Sequence, residues 1–185
     1  MGARFAKWMF KDDFRFMWLA EEFENRLPLE LDFRLEAENC VKSKRLFKDT
    51  PFVQVPTVYR ATPRVLVMSF EKGFPINQVR KLNAEGHDLR EVANLVSQTF
   101  AQMIFKDGFV HADPHPGNLL VTKEDKGKSK LVLLDHGVYT TLSDDTRHAY
   151  TELWRSLISQ DNDQLKSASE RLGCPYFELF ASVIA

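Results

Sequence analysis

Apolar residues near the start of the chain recur at helical intervals. Phe14, Trp18, Leu19, Phe23 and Leu27 fall close to one face of a helix over 12–27, with Glu21, Glu22 and Glu24 between them. Pro28 interrupts that run. The pattern then predicts a second helix over 29–49, with Phe33, Ala37, Cys40 and Phe47 on one face. In this register Asp32 and Glu36 are neighbours four apart, and Glu30 lies nearby around the helix. By pattern alone these carboxylates form a solvated acidic face. The period then shortens. Residues 53–59 and 64–70 read as two strands around Ala61-Thr62-Pro63, the second leading straight into Glu71-Lys72-Gly73. Asp88 looks like the N-cap of a long helix to about Asp107, with Leu89, Val92, Val96, Met103 and Ile104 largely on one face and Gly108 just past its end. His87, beside that cap, reads as a surface histidine. Ser143-Asp144-Asp145 begins another helix with acids in its first turn, carrying Tyr150, Leu153, Trp154, Leu157 and Ile158. Two more follow, one from about Asp163 to Gly173 and one starting near Pro175.

Between these helices lie two apolar runs that each meet polar residues at one end. Gly108-Phe109-Val110 leads into His111-Ala112-Asp113-Pro114-His115-Pro116-Gly117-Asn118 and on to Leu119-Leu120-Val121. Leu131-Val132-Leu133-Leu134 leads into Asp135-His136-Gly137. The lysine- and glycine-rich residues 122–130 read as the turn of a hairpin joining the two. Such a hairpin brings Asp113, Asn118 and Asp135 toward one another at the mouth of a small sheet. Two carboxylates and an amide oxygen are hard ligands suited to Mg²⁺, which keeps several waters and binds substrate phosphates. The spacing His-x-Asp-x-x-x-x-Asn, a strand, then Asp-x-Gly is that of the catalytic and metal loops of protein kinases. Either half alone is weak, since Asp-x-Gly is most often a plain turn. Their joint occurrence, in order and at strand ends, is far more specific. Pro114 and Pro116 fix φ across the loop and Gly117 permits close backbone approach, which suits presenting Asp113 and Asn118 at a fixed separation.

The run from Gly108 to Asn118 resembles the signature of the UbiB family, the aarF-domain-containing atypical kinases. The resemblance extends to Leu29-Glu30-Leu31-Asp32-Phe33-Arg34-Leu35-Glu36-Ala37, which is similar to that family's Glu-x-Asp motif and the helix bearing it, and to the run from Val65 to Gly73. Asp135-His136-Gly137, with His where most kinases carry Phe, is similar to one subgroup. The resemblance implies an α+β, protein-kinase-like fold: an incomplete small lobe over 1–70, a hinge at 71–76 and a mostly helical large lobe over 77–185. It implies catalytic roles for four residues. Asp113 would orient or deprotonate the nucleophile, Glu30 and Asp32 would form the Glu-x-Asp pair near the metals, and Glu36 would pair with a strand lysine that holds the ATP phosphates. The implied cofactor-binding group is Ser69 and Glu71 through their backbone at adenine, Asn118 and Asp135 at Mg²⁺, and His111 fixing the loop beside them. ATP and Mg²⁺ are the implied cofactors. The implied setting is ATP hydrolysis or phosphoryl transfer linked to lipid or isoprenoid-quinone metabolism at a mitochondrial or plastid membrane, with a lipid or membrane-associated partner.

Departures from the kinase pattern narrow this expectation. Only Val138-Tyr139-Thr140-Thr141-Leu142 separates the metal loop from the helix start at Ser143, so the long activation segment ending in Ala-Pro-Glu is missing. Ala112 stands where many kinases carry an arginine that clasps an activation-loop phosphate. Regulation by loop phosphorylation and docking of a protein substrate are therefore not expected. No Gly-rich phosphate loop, Val-Ala-x-Lys strand, Lys-x-Gly-Gln segment or alanine-rich loop occurs in the sequence. The chain reads as the downstream part of a UbiB-type domain, binding Mg-nucleotide weakly by itself. Two other classes stay open. A non-catalytic pseudokinase scaffold fits the missing lysine but not the intact Asp113, Asn118 and Asp135. A small-molecule kinase of the choline or aminoglycoside type shares the His-x-Asp spacing, and the Pro-His-Pro-Gly insert argues against it.

Composition adds limits. At 185 residues and 44% apolar the chain can bury one sizeable core. A net charge of −1 favours neither nucleic acid nor an anionic membrane as the main partner. Fifteen Phe and three Trp are many for this length; most are expected in the core, with any surplus facing a partner or lipid. Cys40 and Cys174, far apart, read as two buried free thiols in a reducing compartment rather than a disulfide or zinc site. No apolar run approaches the ~20 residues of a membrane span. The start Met1-Gly2-Ala3-Arg4-Phe5-Ala6-Lys7 lacks the apolar region of a secretory signal and the Ser or Thr of a myristoylation site.

Overall fold

The computed structural model describes residues 32–123 and 127–174. The helix expected over 12–27, Glu30 and the helix expected from Pro175 lie outside these residues. The described elements are α1 (Phe33–Leu46), β1 (Val53–Gln54), β2 (Val58–Thr62), β3 (Val65–Met68), β4 (Phe74–Pro75), α2 (Val79–Ala84) and α3 (Leu89–Ala101), then β5 (Phe109–His111), β6 (Leu119–Lys123), β7 (Ser129–Leu133), β8 (Tyr139–Thr141), α4 (Asp144–Ser159) and α5 (Asn162–Arg171). This is an α+β architecture.

α1 is shorter than apolar spacing predicts because Asp32 starts it. Asp32 is extended (φ −113°, ψ 98°) and its carboxylate accepts the Arg34 N–H, an N-cap that satisfies one free donor of the first turn. Asp32 is thus the cap and not a member of the helix's acidic face. Ala37, Cys40 and Ser43 form the buried side, while Phe33, expected among them, is 39% exposed. The strand expected over 53–59 is divided. β1 runs parallel to β7, whereas β2 pairs antiparallel with β3, and the register shifts between Val58 and Arg60. Pro56 lies between them and has no N–H to offer a ladder.

α3 begins at Asp88, whose carboxylate accepts the Arg90 N–H, as its sequence predicts. Its last stretch departs from expectation: Gln102–Asp107 widens into a π-helical turn, closed by Gly108 at φ 61°. At α4, the Ser143 hydroxyl accepts the Thr146 N–H, with Asp144 and Asp145 favourable at the positive end of the dipole.

The main sheet has the order β1-β7-β6-β4, with β6 and β7 antiparallel from Leu119↔Leu133 to Lys123↔Ser129. β5 and β8 form a separate antiparallel pair in which His111 faces Tyr139. Leu131, Val132 and Leu133 of β7 are fully buried. One core joins Cys40 and Phe47 to Val53, Met103, Leu119, Leu131 and Leu133, so the helix bearing Glu36 packs on the hairpin that leads into Asp135. A second cluster packs Leu82 and Val92 on Val121, and a third closes α4 on α5 through Leu153, Leu165 and Ala168.

Two local expectations are corrected. His87 is buried rather than on the surface: its Nδ1 lies 3.0 Å from Ser129 Oγ and its N–H donates to the Leu82 carbonyl at 2.9 Å, so it ties the α2–α3 connection to β7. Of the two free thiols, Cys40 is buried but Cys174 is only half-buried. The Cys40 thiol points at the Pro56 carbonyl, and burial pushes its pKa up to about 11.

Candidate functional site

The β6–β7 register sets the site. Beyond the Leu119↔Leu133 pair, the Leu134 N–H donates to the Asn118 carbonyl at 2.9 Å, so Asn118 and the residue before Asp135 leave the sheet side by side. Asn118 Nδ2 donates to the Asp113 carbonyl at 3.3 Å, which folds the loop back on itself. The loop is held from within by its histidines. His111 Nδ1 accepts the Asp113 N–H at 3.2 Å, and His115 Nδ1 accepts the Gly117 N–H at 3.1 Å, capping a 3₁₀ turn over Pro116–Asn118. The Asp113 side chain is left exposed. The charges of Asp135 and Asp113 both reach the His111 ring, but burial outweighs them and holds its pKa below the ordinary value.

Asp135 is half-buried, and its Oδ1 accepts the Gly137 N–H at 2.8 Å. Over it lies α1. Glu36 Oε1 faces the His136 N–H at 3.5 Å. Burial first, and then the neighbouring Asp135 charge, raise the Glu36 pKa against that hydrogen bond. Among the described residues no lysine or arginine forms an ion pair with Glu36.

The structure therefore brings Asp113, Asn118, Asp135 and Glu36 to one region, with His111 buried beneath the loop. Asp32 caps the same helix one turn before Glu36. Both Asp32 oxygens are engaged by Arg34, with Nη2 at 2.6 Å, and this pair holds the Asp32 carboxyl below its usual range. At Ser69, whose backbone the resemblance puts at adenine, the N–H donates to the Thr57 carbonyl at 2.8 Å, and the hydroxyl accepts the Thr57 N–H and donates to Glu71 Oε1 at 2.5 Å. Gln54 Nε2 holds the other Glu71 oxygen. These side chains fix the exit of β3, leaving the backbone of Phe70, Glu71 and Lys72 without backbone hydrogen bonds among the described residues. Met68 to Gly73, with Leu120 and Leu134, line a cavity of about 460 Å³, a size suited to a small ligand. Gly73 closes it. A Cβ there would stand 2.7 Å from the Val121 carbonyl oxygen, and φ is 152°.

A family model for the ABC1 atypical kinase-like domain matches residues 1–169. The chain belongs to this family. It is 43% identical over 176 residues to AarF domain-containing protein kinase 1 of Gallus gallus, covering 93% of this chain and 34% of that one. It is 39% identical to AarF domain-containing kinase 1 of Drosophila melanogaster over the same length and shares. The chain thus spans about a third of the length of these curated relatives. Among solved structures it resembles the Rv3197–erythromycin complex from Mycobacterium tuberculosis, with a TM-score of 0.65 at 21% identity, covering 84% of this chain and 39% of that one. That likeness supports a protein-kinase-like fold.

Within this ABC1-family chain, three contacts around the Asp135-His136-Gly137 loop were not legible as chemistry. Asn39 Nδ2 donates to the His136 carbonyl at 2.9 Å, the Tyr139 hydroxyl lies 2.9 Å from His136 Nδ1, and Ser43 Oγ lies 3.4 Å from the same hydroxyl. The available signal was the spacing Glu36, Asn39, Ser43, a polar line beside the buried Ala37 and Cys40. No group of three His, Cys, Asp or Glu side chains able to hold a metal occurs among the described residues. The oxygens on offer are the Asn118 amide oxygen and the Asp135 oxygen not taken by Gly137. That oxygen-only, two-residue set fits Mg²⁺, which completes its shell with water and phosphate, and does not fit zinc.

Proposed function

We propose that the chain carries the nucleotide-facing half of an ATP-dependent domain that hydrolyses ATP or transfers its terminal phosphoryl group. The observation that supports this best is the common exit of β6 and β7: Asn118 and Asp135 stand together there, Asp113 is tied to Asn118, and the cavity beginning at Gly73 runs up to Leu134. In this reading residues 71–76 are the hinge between a smaller and a larger lobe. Adenine lies against Leu120 and Leu134 and bonds to the backbone at 70–72, and the phosphates point to the loop.

Asn118 and Asp135 would hold Mg²⁺, which when bound supplies neutralisation of phosphate charge. The chain's own residues do the rest. Asp113, exposed on a loop stiffened by two prolines, orients the attacking water or hydroxyl and takes its proton. His111 and His115 keep the loop in shape and touch no substrate. Rate comes from positioning and electrostatics, with no covalent intermediate on the protein. A setting in lipid or isoprenoid-quinone metabolism at an organelle membrane, with a lipid or membrane-associated partner, is part of this reading and is supported by the family resemblance alone.

Calorimetric titration of the 185-residue chain with ATP at millimolar concentration, with and without Mn²⁺, tests the reading. Asp135→Asn is expected to abolish the metal-dependent part of binding, and Asp113→Asn to keep it while losing turnover. Metal-dependent binding by Asp135→Asn equal to the parent's would refute it. A non-catalytic scaffold is favoured by one observation, the absence of a cationic partner for Glu36 among the described residues. It predicts nucleotide binding with no turnover in the parent chain.

A further inference from the structure

The metal loop is gripped at every polar atom of one residue. His136 N–H faces Glu36, its carbonyl accepts from Asn39, its Nε2 lies 3.1 Å from the Leu133 carbonyl and its Nδ1 meets the Tyr139 hydroxyl, which in turn meets Ser43. Three of these partners, Glu36, Asn39 and Ser43, project from α1 at helical spacing. A carbonyl only accepts, so Nε2 carries the proton toward Leu133 and Nδ1 receives the single Tyr139 O–H at 2.9 Å; the same proton is the donor toward Ser43 Oγ at 3.4 Å, which makes that the weaker contact.

We infer that α1 and the Asp135-His136-Gly137 loop form one unit through this strap, and that Asn39, Ser43 and Tyr139 are positioning residues for the Asp135 carboxylate. The route from helix to carboxylate is short. The His136 carbonyl and the Gly137 N–H belong to one planar peptide group. Asn39 fixes the carbonyl side of that plane at 2.9 Å, and its N–H side holds Asp135 Oδ1 at 2.8 Å. Rotating the plane would break both bonds at once. Glu36 holds the preceding peptide plane, between Asp135 and His136, by its N–H. The backbone on both sides of His136 is thereby set from α1, and the second Asp135 oxygen is presented in one direction.

Tyr139 extends the unit to the catalytic-loop strand. It pairs with His111 across β5–β8, and its ring stacks on Phe109 at 4.4 Å, His111 at 5.1 Å and His136 at 5.6 Å. A phenylalanine in place of His136 could make the ring contacts but neither side-chain hydrogen bond. With only a short segment between this loop and α4, the polar strap does what an ordered activation segment would otherwise do: it keeps the loop in one orientation.

The value of the strap for a bound cation rests on the function proposed above, and the test separates the two. In the 185-residue chain, Tyr139→Phe keeps the ring stack and removes one hydroxyl; Asn39→Leu keeps the side-chain size and removes the donor. Amide hydrogen exchange at 135–139, measured without any ligand, is expected to quicken about tenfold in each variant, the worth of one or two hydrogen bonds. Affinity for ATP with Mn²⁺ is expected to fall about three- to tenfold, while affinity for ATP in EDTA stays unchanged, a split that a general loss of stability would not produce. Exchange at 135–139 unchanged in both variants overturns the strap. Equal loss of affinity with and without Mn²⁺ overturns the positioning role. If the parent chain shows no Mn²⁺-dependent binding yet exchange responds as expected, the strap stands and the proposed function fails.

Discussion

His136 concentrates the physical chemistry of the site in one side chain. It is 1% exposed, and burial pushes its pKa down to about 4. The unfolded chain holds the same imidazole near pH 6.5. Between those values the unfolded state binds a proton that the native state refuses, so stability is complete above about pH 6.5 and falls as pH drops toward about 4. His111 and His87, both buried with lowered pKa values, act in the same direction. Denaturation midpoints are expected to correspond to a loss of about 2 kcal/mol or more between pH 7 and pH 5. His136→Phe should flatten part of that slope, and an unchanged midpoint over the interval would contradict the assignment. The sequence showed His136 as a departure from Phe, but its burial depends on Leu133, Tyr139 and α1. The same limit applied to His87. One histidine beside a helix cap carries no sign of the Ser129 that meets it from β7.

Among the elements, those whose ends are marked by local chemistry were legible. Asp88, Ser143 and Gly108 cap or close their helices through their own side chains or a left-handed backbone, and each does so within a few residues of chain. Asp32 is the same kind of signal, passed over because the helix was begun directly after Pro28. Strand 53–59 was misjudged because its two ends pair with different partners, and the choice of β7 for Val53 and Gln54 is made far along the chain. The β3-to-β4 connection is the element on which the proposed hinge depends, and Gly73 is its tightest point. Gly73→Ala would drive a methyl to 2.7 Å from the Val121 carbonyl oxygen. It is expected to destabilise the chain by about 2 kcal/mol and to lower the thermal midpoint by several degrees. A midpoint within one degree of the parent, against the shift of about 2–4 °C per kcal/mol expected at this length, would show that β4 can shift away from β6 at little cost.

For the whole molecule, the decisive feature is that one apolar core runs from α1 through β1 into β6 and β7. It holds the helix carrying Glu36 against the loop carrying Asp135 without any ion pair between Glu36 and a cation among the described residues. In the proposed reading the contacts to a nucleotide are the 70–72 backbone, Leu120, Leu134 and the Asn118–Asp135 pair, a set expected to give a dissociation constant for Mg-ATP of about 0.1 mM or more, under 6 kcal/mol of binding. A calorimetric constant in the low micromolar range would defeat this. No described helix is long and apolar enough to cross a membrane, and the exposed Phe70, at 88%, stands at the rim of the proposed nucleotide cavity. Motif order by itself determined the family and the α+β kinase-like plan, and it singled out Asp113, Asn118 and Asp135 as the candidate site, because those are statements about spacing within short stretches. Only the tertiary structure decided that the Ser69 N–H belongs to Thr57, that Asn39 holds the His136 carbonyl, and that Ser43 meets Tyr139. Those partnerships join atoms that the chain separates but packing brings within about 3 Å, and no local periodicity encodes which polar group will be left to meet which.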